Sequence, residues 1–364
     1  MKPQLQIDIN KVKKNILELV KKAHQNNVSI TGITKGVCGN EDFAVALMAA
    51  GVDSLGDSRI ENLKQLSHLP IKKILLRSPK CSEIDDVIKY AHCSLNSELK
   101  VIEKLSEEAE IQNKKHDVIL MIDVGDLREG IWYEDEKAIH DTISKVLQMK
   151  GINLTGIGTN LTCFGGIIPT EENYGFIARL AQKVRDKYNI PLPVVSGGNS
   201  SSLQMLYDGM VPKGINNLRI NQSVFLGREI AYGKKLDNWE SDVIRLHAEI
   251  IELQTKPSLP QGERAYMNAF GKPIFPIDKG LRKRAIVAIG KQDIDINSLE
   301  AVDGNITIEG ASSDHCIIDV TNSSHSFEIG DWVEFNIIAY SGVLSGMASN
   351  YIETFCINEN ILYQ

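Results

Sequence analysis

The chain has 364 residues, 43% of them hydrophobic and 24% charged, with a formal net charge of −7. That length admits one large domain or two and ample apolar content for a core, and the acid excess argues against a nucleic-acid surface. No apolar run reaches the roughly 18 residues of a membrane span, Met1 to Asp8 carries no apolar leader, and Cys38, Cys81, Cys93, Cys163, Cys316 and Cys356 show no Cys-x-x-Cys spacing, so a reduced, cytoplasmic location is expected.

In chain order, residues 4–9 alternate as a strand does. Residues 10–25 read as a helix with Val12, Ile16, Leu19, Val20 and Ala23 on one face. Strand-like runs then recur at 28–34, 53–57, 73–77, 93–96, 118–124, 156–161, 193–196 and 217–220, with helical patterns between them at 41–50, 59–67, 82–90, 97–113, 134–149, 171–188 and 199–207. Eight strands alternating with helices predict an α/β TIM (β/α)8 barrel. A doubly wound open sheet is the alternative, but no Gly-x-Gly-x-x-Gly follows the first strand. After Gly227 the texture changes. A strand at 243–253, a Pro-rich connector at 255–261, and short runs at 285–290, 305–309, 315–320, 332–339 and 351–356 predict a C-terminal all-β domain. The expected division is a barrel over 10–235 and a β domain over 236–364, joined by the N-terminal strand 1–9.

Chemistry in a barrel gathers at the C-terminal ends of the strands. Lys35 ends the first strand, followed by small residues and by Asn40, Glu41 and Asp42, which suit a helix start. A lysine lifted out of bulk water there loses its proton readily and forms Schiff bases; a solvated loop lysine is the plainer alternative. After the seventh strand, Ser196-Gly197-Gly198-Asn199-Ser200-Ser201-Ser202 offers close backbone approach, N–H groups and hydroxyls to an anion. A flexible Gly/Ser turn is the alternative. Taken with Lys35, the stretch points to a phosphorylated aldehyde cofactor.

Lys35, the 196–202 stretch and Asn217-Leu218-Arg219-Ile220 resemble fold-type III pyridoxal-phosphate enzymes, the alanine racemase-like proteins. Asp57-Ser58-Arg59-Ile60, the segment from Asp123 to Gly130, Gly158 to Cys163, Lys279 to Ala285 and Gly310 to His315 are similar to the ornithine racemase branch. The resemblance spans essentially the whole chain, and it rests on the order and spacing of the motifs together.

The resemblance implies a pyridoxal 5'-phosphate cofactor held by Lys35 as a Schiff base, with Lys35 serving one face of the substrate Cα. Arg219 matches the arginine facing the pyridine nitrogen. A guanidinium stays protonated, so the cofactor is a restrained electron sink, which favours racemisation over decarboxylation. Asn160 stands where relatives place a histidine beside the ring. Ser196, Gly198, Asn199 and Ser200 fall on the phosphate side, and Tyr340 resembles a tyrosine that reaches the phosphate; an ordinary core tyrosine competes. Arg128 matches an arginine near the substrate carboxylate, against an ion pair with Asp126 or Glu129.

The departures concern the other face. Alanine racemases carry a tyrosine four residues past the lysine, where this chain has Gly39, and a catalytic tyrosine in the β domain, where Ile289 to Asp295 has none. A racemase still needs a second acid/base, and Lys291, Asp293, His315 and Cys316 are the candidates. Asp314 is a candidate for a substrate's distal ammonium, against a turn-forming aspartate or a metal cluster with His315 and Cys316. Together these imply a racemase of a basic amino acid, ornithine first and lysine second, that abstracts the Cα proton from the cofactor-bound substrate. The expected assembly is a head-to-tail homodimer in which the β domain completes the partner's site. Partners beyond a small-molecule amino acid are not expected, neither nucleic acid nor membrane. A decarboxylase or aldolase on the same scaffold, and a non-catalytic pyridoxal-phosphate-binding protein, are the rivals.

Overall fold

The structure, a computed structural model, describes residues 1–271, 273 and 277–358. Strand β1 (Gln4–Asp8) runs directly into helix α1 (Ile9–Gln25), and Asp8 makes the switch. Its carboxylate accepts from the backbone N–H of Asn10 at 2.9 Å and of Lys11 at 3.1 Å, an N-cap that satisfies donors the helix itself leaves open. The buried face of α1 includes Val12, Ile16, Leu19, Val20 and Ala23.

Strand and helix then alternate: β2 (Ser29–Ile33), α2 (Glu41–Ala49), β3 (Ser54–Asp57), α3 (Ile60–Gln65), β4 (Lys73–Leu75), α4 (Ile84–Tyr90), β5 (Cys93–Asn96), α5 (Leu99–Ile111), β6 (His116–Asp123), β7 (Ile131–Trp132), α6 (Glu136–Val146), β8 (Ile152–Gly158), α7 (Glu171–Tyr188), β9 (Val194–Ser196), α8 (Leu203–Tyr207), β10 (Asn217–Ile220) and α9 (Gln222–Leu226). Parallel pairing runs β5-β4-β3-β2-β10-β9-β8-β6, and β5 pairs with β6, so eight strands close into a TIM barrel. The short β7 adds to β6 outside that ring. At the seam between last and first strands, Arg219 lies opposite Thr31.

Period-2 alternation divides each strand between two environments. Val118, Leu120 and Ile122 join helix residues such as Ile102, Leu105 and Ile139 in the layer outside the barrel. Ile74, Cys93, Leu95, Ile119 and Met121 form a separate cluster of strand residues inside it. The other half of the interior is polar. Ser54 Oγ donates to Thr31 Oγ1 at 2.9 Å, Asn217 Nδ2 donates to Thr31 Oγ1 at 3.1 Å, and Ser196 Oγ donates to Asn217 Oδ1 at 2.6 Å. Those hydroxyls and amides satisfy one another without water, as buried polar groups must.

The second unit holds β11 (Ile244–Pro257), β12 (Leu281–Val287), β13 (Leu299–Ala301), β14 (Thr307–Ala311), β15 (Cys316–Asp319), β16 (Trp332–Ile337), helix α10 (Tyr340–Ala348) and β17 (Glu353–Ile357). Its sheet is antiparallel in the order β13-β16-β11-β12-β15-β14, with β1 paired to β11 and β17. The two compact units are Asp8–Val243 and Met1–Ile7 with Ile244–Ile357.

The division falls after Val243 rather than near 235. The intervening residues are bound to the barrel: Leu236 N–H donates to the Gly227 carbonyl at 2.9 Å, Trp239 Nε1 to the Tyr207 hydroxyl at 2.9 Å, and Glu240 N–H to Asn15 Oδ1 at 2.8 Å. The expected connector at 255–261 is strand as far as Pro257, because Thr255, Lys256 and Pro257 pair with Lys283, Arg282 and Leu281. Helix α10 interrupts the all-β pattern. Its Gly342 and Gly346 read as turn signals, but a Cβ at Gly342 would stand 2.7 Å from Ser298 Cβ, so the glycine exists for close packing.

Candidate functional site

Lys35 opens a 3-10 turn that leaves β2, held between Thr34 and Cys38, the latter in the left-handed region at φ 51°. Thr34 fixes the strand end by donating to Asp57 Oδ2 at 2.7 Å, while Asp57 Oδ1 accepts from Arg59 N–H at 2.9 Å and Asn62 Nδ2 at 3.0 Å. Burial lowers the Lys35 pKa below the ordinary lysine value; the Arg128 and Arg219 cations add to the effect, and Cys163 and Asp57 oppose it. A greater share of the amine is therefore neutral near neutral pH than for a solvated lysine.

Arg219 lies inside the barrel at the end of β10, 6% exposed. Its Nη1 donates to Ser196 Oγ, and its Nη2 donates to the Thr159 carbonyl at 2.8 Å and to Asn160 Oδ1 at 3.4 Å. Burial lowers its pKa, with Glu129 the leading opposing charge; a guanidinium so surrounded by acceptors remains a cation. Asn160 Nδ2 points to Cys163 Sγ at 3.2 Å, and Asn199 Nδ2 reaches Asn160 Oδ1 at 3.0 Å, the Leu161 carbonyl at 2.8 Å and Cys163 Sγ at 3.1 Å. Ser196, Arg219, Asn160 and Asn199 therefore form one network, and Cys163, which the sequence reading did not single out, belongs to it.

The 196–202 stretch is not a loose turn. Gly198 has φ +118°, a left-handed conformation that favours glycine, and its carbonyl accepts from Arg219 N–H at 2.8 Å. Asn199 Oδ1 takes the Ser201 N–H at 2.8 Å, so that backbone donor is already committed. Ser200 Oγ accepts from Asn221 N–H at 3.2 Å and ties this loop to the one after β10; Ser202 Oγ lies 2.5 Å from the buried Tyr174 hydroxyl. Ser201 Oγ and Ser223 Oγ are buried without a hydrogen-bond partner among the described residues. Two such hydroxyls, one in the 3-10 turn after β9 and one in α9, cost stability unless something accepts from them, and a phosphate group could. Ser223 also escaped the sequence reading. Its signal was its place just past the strand that carries Arg219.

Arg128 follows Asp123, whose Oδ1 accepts from Gly125 N–H at 2.9 Å and Leu127 N–H at 3.2 Å. Its Nε and Nη2 both engage the Glu129 carboxylate, so the ion pair weighed above forms, with Glu129 rather than Asp126. Asp126 instead caps the loop after β8, accepting from the N–H groups of Cys163 at 3.1 Å, Phe164 at 3.0 Å and Ile167 at 3.3 Å.

In the second unit, the two candidate segments lie side by side. Lys291 N–H donates to the Ser312 carbonyl and Gln292 N–H to the Ser313 carbonyl, each at 3.0 Å. Lys291 is exposed, its ammonium 3.5 Å from the centroid of the Phe270 ring. Asp314 Oδ1 sits 2.8 Å from His315 Nδ1 and accepts from Ser312 and Ser313 hydroxyls at 3.2 Å; the His315 contact holds its pKa below the usual value. Asp293 is buried and receives Gly290 N–H at 2.8 Å, a turn-forming role. Cys316 lies in the core of this unit, its thiol pushed up to about 12 by burial, which removes it from the acid/base candidates and from any metal set with the exposed Asp314. Tyr340 opens α10.

Residues 7–216 match the family described as alanine racemase, N-terminal domain. The chain belongs to the alanine racemase family. It is 44% identical over 353 residues to the ornithine racemase of Acetoanaerobium sticklandii, covering 97% of this chain and 99% of that protein. To the lysine racemase of Thermotoga maritima it is 37% identical over 353 residues, covering 96% and 97%. Solved structures share the fold: alanine racemase from Streptomyces lavendulae with TM-score 0.77 at 14% identity, covering 98% of this chain and 97% of that one. The Bartonella henselae alanine racemase with covalently bound pyridoxal phosphate has TM-score 0.73 at 18% identity, covering 98% and 100%. No helix among the described residues is long and apolar enough to cross a membrane.

Proposed function

We propose that this protein is a pyridoxal-phosphate-dependent racemase of a basic amino acid, ornithine first and lysine second. The observation that carries the reading is the pair of basic residues at the barrel seam, Lys35 after β2 with its pKa lowered by burial and a buried Arg219 on β10 held by Ser196, Thr159 and Asn160. Relatives named for racemisation of ornithine and of lysine, aligned over nearly the whole chain, support the substrate class.

When bound, pyridoxal phosphate acidifies the substrate Cα–H by withdrawing electron density into its ring. Lys35 Nζ would hold the cofactor and would accept or return the Cα proton on one face; its lowered pKa suits that exchange. Arg219 would offer a guanidinium N–H to the bound cofactor's ring nitrogen and would limit how much charge the ring absorbs, which disfavours decarboxylation. Ser201 and Ser223 hydroxyls would hold the phosphate, with Gly198 and Ser200 shaping the turns beside them. Asn160 and Asn199 brace Arg219. Arg128 takes the substrate carboxylate.

The opposite face needs its own acid/base. His315, half-buried, and Lys291, exposed, on neighbouring loops are the residues we assign, with Tyr340 as a further candidate for the phosphate. A head-to-tail homodimer supplies them from the second unit of the partner copy.

The test is incubation of purified protein with L-ornithine in D2O. Formation of D-ornithine carrying deuterium at Cα is expected, and release of CO2 or an aldehyde instead overturns the reading. Lys35→Ala removes the cofactor's Schiff-base absorbance; persistence of that band refutes the assignment of Lys35.

A further inference from the structure

We propose that Glu129 selects substrates whose side chain carries a positive charge, acting through its ion pair with Arg128. This inference rests on the racemase reading above and deepens it.

Glu129 occupies one edge of the Arg128 guanidinium, contacting Nε and Nη2 together. Nη1 has no partner among the described residues. A guanidinium offers two planar edges to carboxylates, so a substrate α-carboxylate docks on the Nη1 edge without displacing Glu129. The charges then decide the outcome. Arg128 and Glu129 are already neutral as a pair, and an α-carboxylate added to them leaves one negative charge in excess. Because the α-amine is committed to the cofactor, an amino acid with a neutral side chain has no cation left to offset that excess. Ornithine or lysine brings an ammonium a few methylenes from Cα, within reach of the Glu129 carboxylate, and restores neutrality.

The pair is not a chance contact between floppy side chains. The loop that carries it is pinned by the Asp123 carboxylate, and Gly130 folds back so tightly on the strand end that a Cβ there would lie 2.3 Å from the Asp123 nitrogen. Asp126 fastens the same loop to the Cys163–Ile167 segment, beside Asn160 and Asn199. Both charges act on the site. Arg128 is among the cations that depress Lys35, and Glu129 is the leading charge opposing the effect of burial on Arg219. Asp314, the other carboxylate considered for the ammonium, already accepts from Ser312, Ser313 and His315.

The experiment compares kcat/KM for L-ornithine, L-lysine and L-alanine in the holoenzyme, in E129Q, E129D and D314N. Because Glu129 is about one-third exposed, E129Q retains the fold, which circular dichroism checks. The expected result is that the ornithine-to-alanine ratio of kcat/KM falls at least about tenfold in E129Q, mainly through KM, and is largely restored in E129D. If the ratio stays within about twofold of wild type in E129Q, or falls in D314N alone, Glu129 is not the selector and only this inference is lost. Wild-type protein that exchanges no Cα hydrogen with any of the three overturns the racemase reading as well.

Discussion

Arg219 and Asn160 meet through Nη2 and Oδ1 at 3.4 Å, and that contact settles which way the amide faces. Arginine has only donors, so the oxygen must turn toward it and the nitrogen toward Cys163 Sγ. Asn160→Leu deprives Arg219 of an acceptor and frees Asn199. We expect racemisation to fall about tenfold to a hundredfold, the scale of losing a hydrogen bond to a charged group. Arg219→Lys, which keeps the charge but cannot span Ser196 and Thr159 together, should fall at least as far. Steady-state kinetics with both variants checks this.

The orphan hydroxyls separate cofactor binding from folding. Ser201→Ala and Ser223→Ala each delete a buried group that has no partner among the described residues, so the apoprotein should stay as stable as wild type or become more so. Cofactor affinity should fall about tenfold for each, near 1–1.5 kcal/mol. Thermal melts of the apoprotein and equilibrium titration with pyridoxal phosphate give the two readings. A variant that loses stability but not affinity would show the hydroxyl to be structural.

Acid lability has a specific source at the other end of the barrel. His116 is buried, faces Ser94 Oγ at 2.7 Å, and is pushed down to about 4 by burial. Its folded pKa lies below the unfolded value of about 6.5, so the unfolded chain binds the extra proton first. The contribution is complete above that unfolded value and is lost as pH falls toward 4, about 3 kcal/mol in all. His116→Gln should flatten this part of the urea midpoint against pH.

Lys35 invites a chemical probe of its own. Its lowered pKa means that, at a given pH, a larger share of Lys35 is neutral in the apoprotein than of the solvated surface lysines. Limited reaction of the apoprotein with an amine-specific reagent near pH 8 should modify Lys35 ahead of the surface lysines, and peptide mapping reads the order. Arg128→Gln removes one of the depressing cations and should slow that reaction severalfold, because Lys35 then keeps its proton to higher pH.

Most of the barrel was legible because its strands are short apolar runs bounded by turns and its helices bury one face. The strand 93–96 and the helix 171–188 have the bounds expected of them. What escaped has a physical cause. Helix α10 is built on glycines that pack instead of turning, and β13 is three residues long. Position was legible where the strand ends decided it, as for Lys35 just after β2 and Arg219 on β10. Partners were not: whether Arg128 met Asp126 or Glu129 depends on loop geometry that no spacing encodes. Cys316 looked available because its neighbours are polar, but strand alternation turned it into the core.

The seam between β2 and β10 also sets a clock for biosynthesis. Lys35 emerges early from the ribosome and Arg219 nearly two hundred residues later, and the strands bearing them are neighbours only once the ring has shut. A nascent chain that ends before β10 therefore carries Lys35 without its counterpart or the helix that holds Ser223. The cofactor's lysine and the arginine beside it come together only on ring closure, so a chain that holds the cofactor has closed its barrel.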